Sequence, residues 1–361
     1  MRPRSRYPGR VVRACPANGR NRIQISPMPH FDSTSHRYCV APMMDLTDRH
    51  CRRLLRLISR HARLYTEMIT TQALMRGDAP RHLRHDPTEH PVAIQLGGSE
   101  PADLAICARM AADAGFDEVN LNVGCPSDRV QAGRFGACLM AEPERVAESV
   151  AAMCAAVDIP VTVKTRIGID HDDSPERLLR VVALCRAAGC QIFIVHARNA
   201  WLDGLSPAEN RDIPPLRYEV VHALKRDNPE LQVIINGGLC SHEALETQLV
   251  HVDGVMVGRE AYYNPMSLAR IDKALYDSSA AVPLARDIVH QYMEYVEEEL
   301  SAGTPLRAMT QHLLGLYQGV PGARRWRRTL SEEGRLEDAG IEVIERALAT
   351  VEESDSTTQL A

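Results

Sequence analysis

The sequence predicts a (β/α)8 barrel of the α/β class, a TIM barrel, followed by an all-helical C-terminal domain. Three observations carry this. Between Arg37 and Tyr276, eight short β-branched runs alternate with longer segments of helical period. Several runs are near-continuously apolar, as strands covered on both faces must be. Beyond "YDSSAAVP" the alternation stops and only helical periodicity remains. A doubly wound sheet is the alternative, but it usually has fewer strands and a glycine-rich first turn, and no GxGxxG follows the first run.

The strand runs, in order, are "YCVAPMM" (38–44), "ARLYTEM" (62–68), "PVAIQL" (91–96), "EVNLNV" (118–123), "PVTVKTRI" (160–167), "QIFIVHA" (191–197), "LQVIIN" (231–236) and "GVMVG" (254–258). Between them lie segments such as "PADLAICARMAADAG" and "SPERLLRVVALCRAAG". Their starts carry Ser99-Glu100-Pro101 and Ser174-Pro175, and each ends in a glycine. The expected division is an N-terminal extension over 1–36, a barrel over 37–276 and a helical domain over 283–361. The last contains "LARDIVHQYMEYVEEEL", "LRAMTQHLLGLYQG" and "IEVIERALATV", with a frayed tail, "EESDSTTQLA".

Bulk properties narrow the function. Of 361 residues, 45% are hydrophobic and 25% charged, the balance of a soluble globular protein. No run approaches the roughly 18 apolar residues needed to cross a bilayer. Ten cysteines occur without a CxxC pair or zinc-finger spacing, which points to reduced thiols in a cytoplasmic enzyme and to no metal site. The net charge of −5 argues against a uniformly basic nucleic-acid binder, yet "ARRWRR" at 323–328 is a local basic patch. The first 27 residues hold seven arginines and no acidic residue, and Arg13 interrupts their only apolar run. Their composition allows a transit peptide; they are read here as a disordered extension, or as sequence upstream of a real start at Met28.

Active sites of such barrels form at the C-terminal strand ends. There the sequence sets Pro42, Met43 and Met44, then Glu67, Gln95, Asn122 leading to Cys125, Lys164 and Arg166, His196 and Arg198, Asn236-Gly237-Gly238, and Gly258-Arg259. The last two loops have small residues that let backbone N–H groups approach an anion, and Arg259 adds a bidentate fork. They suit a cofactor phosphate; a plain tight turn is the alternative. Lys164 inside an apolar strand reads as a Schiff-base amine or as a cation facing a flavin. His196 reads as a site residue or a core histidine, and Gln95 as a site residue or a loop cap. Cys125, between a glycine and a proline, reads as a structural thiol, a nucleophile or a general acid, and its position alone leaves the choice open.

Together, "APMMDLTDRH", "NLNVGCPSDRVQAGRFGACLM", "VKTRIGID", "FIVHARNAWLDGLSPAENRDIPPL", "INGG" and "DGVMVGREAYYNP" resemble the tRNA-dihydrouridine synthases, most of all the branch that reduces uridines 20 and 20a of the tRNA D-loop. The similarity runs from about Tyr38 through "PGARRWRRTLSE" in the helical domain. It implies an FMN-bearing barrel, NADPH as electron donor, and a helical domain that grips tRNA. On its motifs Pro42, Met43 and Met44 line the FMN. Gln95, Lys164 and His196 contact the flavin ring or its polar edge. Asn236, Gly237, Gly238, Gly258 and Arg259 hold the ribityl and phosphate end. Cys125 becomes the proton donor to C5 of uracil, with hydride coming from reduced FMN to C6. Asn122 lies beside the target base, while Asn210, Arg211, Arg325 and Arg328 contact the RNA. Arg324 and Arg327 complete a phosphate-binding face around Trp326. A monomer without protein partners is expected. The rival readings are an FMN barrel acting on a free pyrimidine or enone, and an RNA-binding module without catalysis.

Overall fold

Eight parallel strands form one sheet in a computed structural model that describes residues 35–172 and 174–359. They are β1 (Tyr38–Val40), β2 (Leu64–Thr70), β3 (Val92–Gly97), β4 (Glu118–Val123), β5 (Val161–Arg166), β6 (Ile192–His196), β7 (Gln232–Asn236) and β8 (Gly254–Val257). Their order is β1-β8-β7-β6-β5-β4-β3-β2, and a parallel bridge from Cys39 to Arg63 joins the two ends into a barrel. Two bonds of 2.9 Å, Val40 N to Arg63 O and Arg63 N to Tyr38 O, make that closure. Each strand overlaps one predicted run. The first is shorter than "YCVAPMM" because Pro42 offers no N–H and Met43 N turns to Thr47 Oγ1 at 3.0 Å.

The crossovers carry α1 (Arg49–Ile58), α2 (Thr71–Arg76), α3 (Ala79–Leu83), α4 (Pro101–Asp113), α5 (Asp128–Ala132), α6 (Pro143–Cys154), α7 (Glu176–Ala187), α8 (Tyr218–Asp227) and α9 (His242–Leu249). Caps follow the local sequence: Asp48 accepts from Cys51 N at the start of α1, and Pro101 occupies the first turn of α4. Gly115 (φ 93°) and Gly189 (φ 110°) follow α4 and α7 in the left-handed region, as their terminal glycines predict. On β4, Val119, Leu121 and Val123 join the apolar layer shared with the helices. Glu118, Asn120 and Asn122 therefore face the barrel interior, by the two-residue period of a strand.

After β8 come α10 (Arg259–Tyr263), α11 (Ile271–Leu275), α12 (Ala285–Ser301), α13 (Arg307–Thr310), α14 (Ala323–Glu332) and α15 (Glu342–Gln359). The described residues belong to one compact unit. Helix α12 lies on α1: Tyr295 Oη is 2.8 Å from His50 Nδ1, and both Nη atoms of Arg49 are 2.5 Å from Glu299 carboxylate oxygens. The Arg49 bond, set against the opposing cost of partial burial, brings the Glu299 carboxyl down to about 2. His312 reaches Asp48, the cap of α1, at 3.1 Å. Helix α14 is amphipathic by spacing. Ala323, Trp326 and Leu330 are buried while Arg324, Arg325, Arg327 and Arg328 are exposed. Readings for the extension up to residue 34 lie outside the described residues.

Trp326 is wholly buried, donates to Leu313 O at 2.9 Å, and meets Tyr317 edge-on at 4.9 Å. It anchors the helix that displays the four arginines and is not itself part of their surface. Trp326→Ala is expected to cost about 3–5 kcal/mol, read from the urea midpoint, because a large ring leaves a cavity. Trp326→Phe should cost less, since most of the packing remains.

Candidate active site

The loop after β4 is held from three directions. Asn122 Oδ1 accepts from both Gly124 N and Cys125 N, each at 3.0 Å. Cys125 O accepts from Ala137 N at 2.9 Å. Gly136 makes that approach feasible: its φ is +68°, and a Cβ there would lie 2.6 Å from Cys125 O. Buried Arg166 then spans two loops, from Gly124 O at 3.1 Å to Asn199 O at 3.0 Å and Asn210 O at 2.8 Å. The half-buried Cys125 thiol lies 3.5 Å from Ser127 Oγ.

The strand ends beside it are strongly cationic. Burial, with Arg166 adding repulsion, brings the Lys164 ammonium down to about 8. Burial likewise brings Arg166 down to about 10. For His196, burial and then the charges of Arg166 and Lys164 hold the imidazole well below its usual range, so it is neutral at neutral pH. Lys164 and His196 are under-satisfied. Among the described residues Lys164 Nζ has one long bond, 3.3 Å to Asn236 Oδ1, and the buried His196 Nδ1 has no partner. Buried polar groups normally find partners. Asn236 is itself fixed by its 2.7 Å bond to Met256 O, which turns its oxygen toward Lys164.

On the far side of the rim, Gly237 (φ 116°) and Gly238 (φ 67°) both take left-handed backbone. A Cβ on Gly237 would lie 3.1 Å from Leu216 and 3.2 Å from His196, so the loop lies bare against the imidazole. Tyr218 Oη donates to Gly237 O at 2.6 Å. Gly258 leaves similar room: a Cβ there would touch Ala41 and Met43 at 3.7 Å. Pro42 and Met43 are half-buried and Met44 is exposed. Their loop is tied to β2 by Asp45 N donating to Glu67 Oε1 at 2.5 Å. Gln95 is buried, with Nε2 2.7 Å from Asn120 Oδ1 and Oε1 2.9 Å from Asn122 Nδ2. Arg259 is exposed, and its fork is already held by Asp212 at 2.5 and 3.1 Å.

The barrel thus gathers the strand-end residues at one rim. The surface residues divide. Arg211, Arg325 and Arg328 are exposed. Asn210 corrects the expectation of an RNA contact: it is fully buried, its amide accepting from Trp201 N at 2.8 Å and donating to Trp201 O at 2.9 Å. It closes the loop after β6 from inside. Asn122, expected beside a substrate base, is buried and occupied with the Cys125 turn. Sequence reasoning passed over the brace made by Arg166, and over Glu118, Asn120 and Thr162 beneath Gln95. The signal existed, since "EVNLNV" places a polar residue at every second position.

Comparison with known proteins agrees in kind. The family described as "Dihydrouridine synthase (Dus)" matches residues 39–352. A Vibrio cholerae protein is 55% identical over 318 residues, 88% of this chain and 97% of its own length. A Shewanella oneidensis protein is 56% identical over 315 residues, 87% and 94% of the two chains. An Escherichia coli protein is 55% identical over 333 residues, 91% and 96%. All three are named tRNA-dihydrouridine(20/20a) synthase. A solved 2-naphthoyl-CoA reductase complex shares the fold at TM-score 0.53 and 11% identity, over 66% of this chain and 50% of that one.

Removing the Asn122 acceptor should loosen the thiol turn directly. In Asn122→Ala, amide exchange at Gly124 and Cys125 is expected to rise about tenfold or more, since each buried unmet N–H costs roughly 1–3 kcal/mol. Asn122→Asp keeps the acceptor oxygens and should retain most of the protection. Unchanged exchange in the alanine variant would remove the turn-holding role.

Proposed function

The chain belongs to the dihydrouridine synthase family, and on that footing we propose that it is an FMN-dependent tRNA-dihydrouridine synthase that uses NADPH to reduce D-loop uridines at positions 20 and 20a. The observation that carries the reading is the thiol of Cys125, braced on a rim where buried Lys164 keeps one long bond and buried His196 Nδ1 has no partner among the described residues. An anionic, electron-rich ring with a phosphate tail fits that deficit. Lys164, His196 and Gln95 offer polar groups to such a ring, and Pro42, Met43 and Met44 an apolar side. Gly237, Gly238 and Gly258 leave bare backbone for the tail, beside Asn236. Arg259 joins them by exchanging Asp212 for the phosphate. Bound and reduced, FMN would supply the hydride for C6 of the uracil.

The protein's part is positioning and proton delivery. Cys125 holds the proton for C5 on Sγ, and a general acid needs only to be near and protonated. Losing that proton leaves a thiolate. Lys164 and Arg166, whose charges act on Cys125, stabilise it. Neutral His196 adds no competing charge on this side. The target base must leave its stack, which costs a few kcal/mol and least in a loop. Arg211 beside the rim, with Arg325 and Arg328 on α14 and Arg324 and Arg327 next to them, forms the RNA-facing set, against a net charge of −5. Asn122 contributes through the turn it holds, and its second Nδ2–H would be offered to the base. The barrel over 37–276 is thereby the catalytic part and 283–361 the part that grips tRNA, in a monomeric cytoplasmic enzyme. Among the described residues no helix is long and apolar enough to cross a membrane.

The purified protein should be yellow, or become so with added FMN; a colourless protein that takes up no FMN would sink the flavin reading. Cys125→Ala should retain FMN and its reduction by NADPH while dihydrouridine formation drops by about 10²–10⁴. Mapping dihydrouridine in tRNA from a deletion strain, with and without this gene, tests the positions. Arg325→Glu with Arg328→Glu should abolish tRNA binding; retained binding would favour a small-molecule substrate.

Lys164 gives a pH test. Its ammonium is charged below about 8 in the free protein and neutral above. FMN holds it charged, so binding above that pH takes up a proton, and affinity should fall by up to about tenfold per pH unit. Lys164→Met should bind FMN more weakly and without this dependence between pH 7 and 10.

A further inference from the structure

A single hydrogen-bonded chain runs inside the barrel from its floor to the Cys125 turn. At the floor Glu118 is fully buried. Its Oε2 lies 2.6 Å from His36 Nε2 and 3.4 Å from Arg63 Nη1, and its Oε1 accepts from Tyr65 Oη at 2.8 Å and Thr162 Oγ1 at 2.6 Å. Burial alone would raise this carboxyl, but His36 and Arg63 outweigh it and bring it down to about 2. From Thr162 the chain climbs: Asn120 Nδ2 to Thr162 Oγ1 at 2.7 Å, Gln95 Nε2 to Asn120 Oδ1 at 2.7 Å, and Asn122 Nδ2 to Gln95 Oε1 at 2.9 Å. It ends where Asn122 Oδ1 receives Gly124 N and Cys125 N.

The chain has a direction imposed by chemistry. An ionised carboxylate only accepts, so Thr162 must donate its single proton downward. Its oxygen then receives Asn120's NH2, which turns the Asn120 carbonyl toward Gln95. The same logic turns the Gln95 carbonyl to Asn122 and the Asn122 carbonyl to the turn. Flipping any one amide would set acceptor against acceptor at one of its ends and donor against donor at the other. Two backbone N–H groups at the top demand an acceptor, so both ends require the same orientation.

We infer that Glu118, Thr162 and Asn120 are positioning residues for the thiol: the charge at the floor sets the amide orientation of Gln95 and Asn122, and thereby the geometry of the Cys125 turn. This rests on the reading of Cys125 as proton donor for its catalytic consequence, though not for its structural one. Thr162 is the link to cut, because valine keeps its shape and removes both bonds.

The first measurement uses the protein without cofactor. Thr162→Val should raise amide exchange at Gly124 and Cys125 by about tenfold, the loss of roughly one buried hydrogen bond. Thr162→Ser should restore wild-type protection. Tyr65→Phe, which removes a Glu118 partner outside the climbing chain, should leave those amides unchanged. The second measurement uses the FMN-loaded enzyme in single turnover. Thr162→Val should keep flavin reduction by NADPH within about threefold and slow uridine reduction about tenfold or more. In a Cys125→Ala background that slowing should vanish, because a residue acting through the thiol is non-additive with it. If Thr162→Val does not fold, Asn120→Leu breaks the next link with the same expectations. Unchanged exchange, or full additivity with Cys125→Ala, would overturn the inference. A wild-type protein that holds no FMN or leaves uridine unreduced would instead defeat the proposed function, with the exchange result still deciding the chain.

Discussion

Glu118 is a charge in a place where charge is expensive, and much of the barrel interior is arranged around that fact. A buried carboxylate survives only with several partners. Here His36, Arg63, Tyr65 and Thr162 all converge on it. His36 precedes β1, and Arg63, just before β2, bridges to Cys39 on β1, so the same carboxylate that feeds the interior chain also ties the barrel at its closing seam. Polar side chains stacked above it would weaken an ordinary core. In this barrel each one satisfies the next, and the stack ends at the turn that carries Cys125.

The rim follows the opposite rule. Lys164, Arg166 and Arg198 crowd two adjacent strand ends, and the carboxylate of Asp212, whose charge acts on Arg198, is held by Arg259. Arg166 spends its charge-assisted bonds on backbone carbonyls of two loops, which fixes their geometry without neutralising the field. Lys164 and His196 keep unmet capacity. A paired carboxylate at the floor below a cationic rim is the electrostatic profile that suits the anionic group proposed for this site.

The helical segment is joined to this scaffold by contacts that also steady the loop after β1. Asp48 caps α1 and meets His312, while Arg49, one residue on, pairs with Glu299. Five residues before that cap stands Met43, one of the rim residues. Burial of Trp326 sets the orientation of α14 and so decides which way its four arginines face. Packing, rather than the arginines themselves, determines that surface.

The barrel was legible in the sequence because its signals are local. β-branched runs, helix starts and terminal glycines each report on a few neighbouring residues, and eight repeats of one pattern leave little choice of fold. The rim residues were legible for the same reason, since strand ends follow once strands are known. The N–x–N spacing of β4 was visible too, but its meaning was not. That Asn120 meets Gln95 on one side and Thr162 on the other depends on inter-strand register, which no single run encodes. Arg166, Asn210 and Trp326 show the same limit. An arginine on a strand, an asparagine in a loop and a tryptophan in a basic run all look like surface chemistry in one dimension. Only the closed barrel and its packed helices decide that the first braces two loops, the second is sealed inside one, and the third is core, because burial is set by the whole packed chain and the partners of Arg166 lie 33 to 44 positions away.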